Sequence, residues 1–269
     1  MRVRFYLLSQ EVAHMAEVPL QHRFDGPRNA PTVLLLPEFG TRWSIWEPQM
    51  PELTRTSRVL RVNHRGHGSS LAPEGPYTTE ELVGDVLALL NKLGLERLSI
   101  LGFGFGGMLA TWIASTVPDR VNRLALLAGA PRTPAAHHWR DIASRVREGG
   151  MAAVSSEVTR SWFTPAWAEQ RPDIVERVVE EFQGTDCAGY AGCCDAIAEE
   201  DQRGTLARVR APTVVMSAAH DPLLPPGYGR QLADAISGAR FEVITGAAHL
   251  VGVERSDRVN ELLMDHVAR

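Results

Sequence analysis

The chain has 269 residues, of which 44% are hydrophobic and 22% are charged, and its formal net charge is −4. This composition is ordinary for a globular protein and excludes an intrinsically disordered one. The small negative charge gives no indication of a nucleic-acid partner or an anionic membrane. Three cysteines, two of them adjacent, cannot form a disulfide framework. Residues 1–8 lack the long apolar core of a secretory signal, and no apolar run could span a bilayer, so the sequence predicts a cytoplasmic protein.

Strand and helix patterns alternate along the chain. Compact apolar runs predict buried strands at 32–36 and 58–63, and further strands are predicted at 98–101, 121–127, 212–217 and 240–244. A capping box at 78–81, followed by apolar residues at helical spacing, predicts a helix that Gly94 ends. Further helices are expected at 106–117 and 253–267. This alternation predicts an α/β fold, with a mostly parallel twisted sheet and helices on both faces.

Residues 131–208 interrupt the alternation. They contain helical patterns at 137–147, 172–182 and 187–199, several tryptophans and no good strand. We therefore expect a helical lid insertion at 131–208, within a core formed by residues 1–130 and 209–269.

A glycine-rich turn follows the strand at 98–101 and has two interpretations. Gly102, Gly104 and Gly107 match the dinucleotide-binding pattern G-x-G-x-x-G. About a hundred residues precede it, however, and the next strand ends without a carboxylate for a ribose. The alternative is a nucleophile elbow, G-x-S-x-G, in which Gly104 replaces the serine. Glycine accepts the strained backbone of that turn but supplies no nucleophile.

Two later loops favour the elbow. Asp221 follows the strand at 212–217, and His249 follows the last strand, at 240–244. Nucleophile position, acid and base then appear in the chain order of the elbow hydrolases. Each residue alone would be an ordinary loop residue, but their joint placement at successive strand ends predicts a catalytic pair.

These motifs give the chain, from about residue 20 to residue 266, a resemblance to the α/β-hydrolase family and within it to the 3-oxoadipate enol-lactonases. The resembling segments are Gly40-Thr41, Trp46-Glu47-Pro48-Gln49, Arg65-Gly66-His67-Gly68-Ser69-Ser70, Gly75-Pro76-Tyr77-Thr78, Gly189-Tyr190-Ala191-Gly192-Cys193-Cys194 and Gly246-Ala247-Ala248-His249-Leu250. The resemblance implies hydrolysis of an enol-lactone by a serine, an aspartate and a histidine. Asp221 and His249 fall on the acid and base positions.

The departures from this family concern the same site. Gly104 stands at the position of the catalytic serine, and Pro37 and Glu38 replace polar or small residues beside the oxyanion loop. By position, Phe39 and Phe105 would supply the two backbone N–H groups of the oxyanion hole. Glu38 either brings a carboxylate close to the site of developing negative charge or points into solvent.

Further side chains are assigned from sequence context. Trp139, Trp162 and His220 are candidates for the substrate pocket, whereas His64 and His67 are interpreted as structural. No residue pattern predicts a cofactor or a metal.

The sequence leaves three functions open. The first is a lactonase or esterase of weak activity, in which water occupies the space left by the serine and His249, oriented by Asp221, acts as its base. The second is non-hydrolytic chemistry in the same pocket, as in a lyase, isomerase or cyclase. The third is a protein that only binds a small molecule. In each case the partner is a small molecule, and the oligomeric state is not predicted.

Overall fold

The computed structural model describes residues 17–134 and 136–268. The expectation about residues 1–8 lies outside these ranges. Seven strands form one sheet in the order β1-β3-β2-β4-β5-β6-β7. The strands are β1 His22–Asp25, β2 Thr32–Leu36, β3 Arg58–Val62, β4 Leu98–Phe103, β5 Val121–Leu127, β6 Thr213–Ala218 and β7 Arg240–Ile244.

All strand pairs are parallel except β1 with β3, so the predicted parallel α/β sheet is confirmed. Every residue of β4 and of β6 is buried, because helices cover both faces of the sheet. Strand β1 was not predicted. Its sequence, His-Arg-Phe-Asp, is polar and half exposed, and it is a strand because β3 offers an edge to pair with.

Helices fill the intervals between the strands. They are α1 Met50–Thr56, α2 Thr79–Lys92, α3 Phe105–Thr116, α4 Ala136–Gly149, α5 Ser155–Thr159, α6 Pro165–Gln170, α7 Pro172–Gln183, α8 Cys187–Glu199, α9 Pro226–Asp234, α10 Val251–Glu254 and α11 Ser256–Ala268. Both hydrogen bonds of the predicted capping box are present at Thr78 and Glu81.

One helix prediction needs correction, and a helix between β6 and β7 was not predicted. The C-terminal helix predicted at 253–267 is two helices, because Arg255 leaves the helical conformation at φ −128° and ψ 52° between α10 and α11. Helix α9 was not predicted, since its apolar positions are few and a run of prolines precedes it.

The chain between β5 and β6 forms five helices, α4 to α8, together with short 3₁₀ turns and one isolated bridge from Arg132 to Asp201. Helices α4 and α8 are packed together, and Trp139, Ile142 and Val146 of α4 are buried. The expected helical character of 131–208 is therefore present. In the described part of the chain, no helix is both long and apolar enough to cross a membrane.

Candidate active site

Four loops meet at one edge of the sheet. Glu38 follows β2, Gly104 follows β4, Asp221 follows β6 and His249 follows β7. These strands are parallel, so their carboxyl ends lie on the same side, where ligands of open α/β sheets bind. The fold thus brings together residues that are far apart in the sequence.

The turn from β4 into α3 is sharp and requires glycine at several positions. Gly104 has φ 49° and ψ −111°, in the left-handed half of the backbone map that side chains disfavour. At Gly102, an added Cβ would stand 2.5 Å from the oxygen of Gly106 and from Cα of Gly107. At Gly106 it would overlap the carbonyl of Leu36. Close packing of strand, turn and helix therefore explains the glycines without a nucleotide.

Asp221 and His249 form the pair expected from their strand-end positions. Nδ1 of His249 lies 2.8 Å from Oδ2 of Asp221, and both residues are buried. The other carboxylate oxygen of Asp221 accepts the N–H groups of Leu223 and Leu224, which fixes its orientation. This arrangement leaves Nε2 of His249 directed towards Gly104, 3.4 Å from where a Cβ of residue 104 would be.

Glu38 fills the space beside Gly104. Its Oε2 accepts the N–H of Phe105 at 2.7 Å and lies 3.6 Å from Nε2 of His249. A Cβ on residue 104 would overlap this same oxygen. The carboxylate also lies at the N-terminus of α3, where the helix dipole stabilises negative charge. Glu38 therefore occupies the volume that the first side-chain atoms of a serine at position 104 would need.

This placement corrects two expectations. The space left by the missing serine was expected to hold water, but the carboxylate of Glu38 fills it. Phe105 was expected to offer a free N–H to a substrate oxyanion, but this N–H donates to Glu38. Glu38 is only 4% exposed, so its alternative placement as a solvated loop acid is wrong.

The charges around His249 set its protonation. Burial by itself lowers the pKa of His249, but the carboxylates of Asp221 and Glu38 outweigh burial and raise it to about 10. Burial likewise opposes ionisation of Asp221, yet His249 and the backbone N–H groups hold the pKa of Asp221 below its usual value. At neutral pH His249 is therefore protonated and Asp221 ionised, and the carboxyl group of Glu38 lies on the other side of the imidazole.

Two histidines hold the loop that carries Glu38. Nε2 of His64 lies 2.8 Å from the carbonyl of Pro37, and Nε2 of His67 accepts the N–H of Gly40 at 2.7 Å. Burial lowers the pKa of His64 to about 4 and that of His67 to about 3, so both are neutral at pH 7. The sequence interpreted both as structural, and their contacts fix the position of Glu38.

A cavity of about 390 Å³ opens from the row. Its walls combine aromatic side chains with charged and polar ones, among them Glu157, Arg160 and Ser161, and several come from the chain between β5 and β6. The aromatic lining residues are Phe39, Trp139, Trp162 and Tyr190, and Glu38 and His249 also line the cavity.

The aromatic walls are packed against one another. The ring of Phe39 lies 4.9 Å from that of Tyr190 and 5.3 Å from that of Trp139. Trp139 and Trp162, both expected in the pocket, line the cavity. His220 does not, because it is exposed on the surface while the next residue, Asp221, turns inward. The contribution of Tyr190 was not anticipated, although it lies in the Gly-Tyr-Ala-Gly-Cys-Cys stretch that carried the resemblance.

Sequence reasoning also missed Glu254. This buried carboxylate accepts the N–H of Ala248 at 2.9 Å, together with the N–H and the hydroxyl of Thr164. It thereby joins the loop of His249 to the chain between α5 and α6. A glutamate just inside a predicted helix gives no signal of this role.

The site offers little to a nucleotide or a metal. The N–H of Phe105, which a pyrophosphate at this turn would use, already donates to a carboxylate that would repel phosphate. Over residues 17–134 and 136–268, no group of three or more His, Cys, Asp or Glu side chains is arranged so that it could hold a metal ion.

Comparisons with known proteins agree with the fold. A family model described as alpha/beta hydrolase fold matches residues 31–256. The chain is 32% identical, over 91% of each chain, to 3-oxoadipate enol-lactonase 2 of Acinetobacter baylyi. It is 27% identical to a putative carbamate hydrolase of Stutzerimonas stutzeri, over 89% of this chain and 92% of that one.

Among solved structures, the enol-lactonase from Burkholderia xenovorans superposes with a TM-score of 0.92 at 37% identity, covering 94% of this chain and 97% of that one. A thermophilic esterase from Thermogutta terrifontis gives a TM-score of 0.88 at 26% identity, with 93% of each chain covered. The family match spans most of the chain, and sheet order and strand-end loops agree with it. The chain belongs to the α/β-hydrolase fold family, and it resembles the enol-lactonases within that family.

Proposed function

We propose that this chain hydrolyses small carboxylic esters or lactones, with water rather than a side chain attacking the acyl carbon. The observation that carries the proposal is the row Glu38–His249–Asp221 at the inner end of an aromatic cavity. The similarity to two enol-lactonases and an esterase supports the substrate class. Residues 131–208 would act as a lid, since Trp139 and Trp162 wall the cavity.

The charges of the row assign the proton transfers. His249, with a pKa near 10, already carries its proton at neutral pH and cannot accept another from water. Glu38 is the adjacent group that can, so it acts as the base. His249 then donates its proton to the leaving oxygen, while Asp221 holds the imidazolium in place. This reverses the role that the sequence alone suggested for His249.

The same arrangement explains why the activity should be weak. With the N–H of Phe105 bound to Glu38, the N–H of Phe39 is the remaining backbone donor of the expected pair. Losing one oxyanion donor costs about 10²–10³-fold in rate in other hydrolases. Substrates with a good leaving group, such as enol-lactones and aryl esters, depend least on that stabilisation. We therefore expect these to be hydrolysed and simple alkyl esters to be left intact.

The test compares variants on phenyl acetate and on the enol-lactone 5-methyl-2(3H)-furanone. Glu38→Gln and His249→Gln should each reduce the rate at least about 10²-fold, the lower range for a positioned acid or base. Glu199→Gln, the same change at an exposed carboxylate outside the cavity, is the matched control and should change nothing. Hydrolysis that survives both Glu38→Gln and His249→Gln would remove the row from the mechanism. No hydrolysis of either compound by the wild type would overturn the function itself.

A further inference from the structure

Glu38 and His249 put a base and an acid side by side. Oε2 of Glu38 and Nε2 of His249 are 3.6 Å apart, and the two residues are 4% and 1% exposed. Within residues 17–134 and 136–268, Oε1 of Glu38 has no hydrogen-bond partner, and Glu38 lines the cavity. The carboxyl group of Glu38 and the imidazole of His249 can therefore reach a bound molecule at the same time.

Such a pair matches the needs of proton removal next to a carbonyl group. The base must reach the hydrogen on the α-carbon, while the acid must reach the carbonyl oxygen. The α-carbon and the carbonyl oxygen are both bonded to the carbonyl carbon, so the two targets lie close together. Groups a few ångströms apart on one side of the substrate satisfy both demands together. No covalent intermediate is needed, which agrees with a glycine at position 104.

We propose that this site also catalyses proton transfer at the α-carbon of carbonyl compounds, by enolisation between Glu38 and His249. The C–H bond breaks and its proton goes to Glu38, while its electron pair forms the carbon–carbon double bond of an enol. The carbonyl π electrons move to oxygen, which takes the proton of His249.

The reverse step returns the oxygen-bound proton to His249. The proton on Glu38 goes back to carbon, either to the α-carbon or, in an unsaturated lactone, to the γ-carbon. Return to the γ-carbon shifts the double bond. Both outcomes conserve atoms and electrons and need no further reactant. This activity uses the same pair as the proposed hydrolysis but breaks no ester bond.

The cavity indicates the class of substrate. Its volume of about 390 Å³ and its aromatic residues Phe39, Trp139, Trp162 and Tyr190 suit one apolar ring, while Glu157, Arg160 and Ser161 form a polar part of the wall. Proton transfer between the pair and such a ring needs no water. We therefore assign small cyclic ketones and unsaturated lactones with an acidic α-hydrogen to this site.

The experiment uses 2-indanone, a cyclic ketone with acidic α-hydrogens and no bond to hydrolyse. Exchange of these hydrogens for deuterium in D₂O is followed by NMR with the full-length protein. The wild type should accelerate exchange about 10²–10⁴-fold relative to the same buffer without protein, which is the rate enhancement typical of positioned general acids and bases. Glu38→Gln should lose this acceleration, and Glu199→Gln should retain it.

A second variant moves the base without removing its charge. In Gly104→Ala the new Cβ overlaps Oε2 of Glu38, so the carboxylate must leave its place and exchange should fall. If Gly104→Ala fails to fold, the Glu38→Gln comparison still decides. Wild-type exchange at the buffer rate, or exchange unchanged in Glu38→Gln, would overturn this inference.

Hydrolysis of phenyl acetate is measured on the same samples, so the two proposals can fail separately. Ester hydrolysis without exchange overturns the enolisation and leaves the proposed function standing. Exchange without ester hydrolysis overturns the proposed function and leaves the enolisation standing.

Discussion

Gly104 and Glu38 compete for one volume, and a double-mutant cycle can measure this competition. Gly104→Ser forces a side chain onto a backbone at φ 49°, which costs about 1–3 kcal/mol. Its Cβ also displaces Glu38 from the N–H of Phe105, and a hydrogen bond to a charged group contributes about 1.5–3 kcal/mol. The single variant should therefore lose ~2.5–6 kcal/mol of unfolding free energy.

The companion variant Glu38→Ala removes the obstructing carboxylate. Each single variant loses the hydrogen bond from Phe105 to Glu38, so the sum of the two single effects includes this bond twice. The Gly104→Ser/Glu38→Ala double variant loses it only once. The two changes should then be non-additive by about 1.5–3 kcal/mol, with the double variant more stable than the sum of the single effects predicts. Chemical denaturation of the four proteins measures this coupling.

The same four proteins can be assayed for a restored serine. A Cβ at position 104 lies 3.4 Å from Nε2 of His249, so the hydroxyl of the double variant can reach the imidazole. With Glu38 removed, the pKa of His249 should fall, and aryl-ester hydrolysis should show a burst if deacylation is slow. If the changes in unfolding free energy of the two single variants add up to that of the double variant within about 0.5 kcal/mol, Gly104 and Glu38 do not compete for one volume. A double variant without esterase activity would contradict the expectation that the serine hydroxyl reaches His249.

Four further predictions concern the groups around the row. Since the pKa of His249 is raised from 6.5 to about 10, its stabilising contribution is complete below pH 6.5 and is lost as the pH rises towards 10. The free energy of unfolding of the wild type should therefore decline across this range, and that of His249→Gln should not, as measured by chemical denaturation. For the same reason the hydrolysis rate should stay level from about pH 6.5 to 8 and fall near pH 10; a rate that increases through neutral pH would instead make His249 the base. Asp221→Asn removes the main charge that holds the proton on His249, so the alkaline fall of the rate should move to lower pH. Glu254→Gln weakens the acceptor shared by Ala248 and Thr164 and should cost about 1–3 kcal/mol by thermal denaturation; a loss no larger than that of Glu199→Gln would contradict this.

Most of the sheet could be predicted because its strands carry their own signal. The runs at 32–36 and 121–127 were predicted with the bounds that the structure has, since buried parallel strands are compact and apolar. The strand at 240–244 also has its predicted bounds, although it lies at the sheet edge and is mostly half exposed. The edge strand β1 gave no such signal, because its pairing with β3 and not its composition makes it a strand. The placement of Asp221 and His249 together also followed from sequence, since parallel strands end at one edge of a sheet.

The sequence by itself determined that the chain has an α/β-hydrolase fold, that position 104 carries no nucleophile and that Glu38 is an unusual neighbour. It could not determine that these two departures are one feature. Glu38 and Phe105 lie 67 positions apart, and no local pattern tells which way a loop carboxylate points. Only the tertiary structure brings the loop after β2 against the first turn of α3, because the sheet places β2 next to β4. That contact puts the carboxylate into the volume that glycine leaves empty, and it is the observation behind the proposed roles of Glu38 as base and His249 as acid.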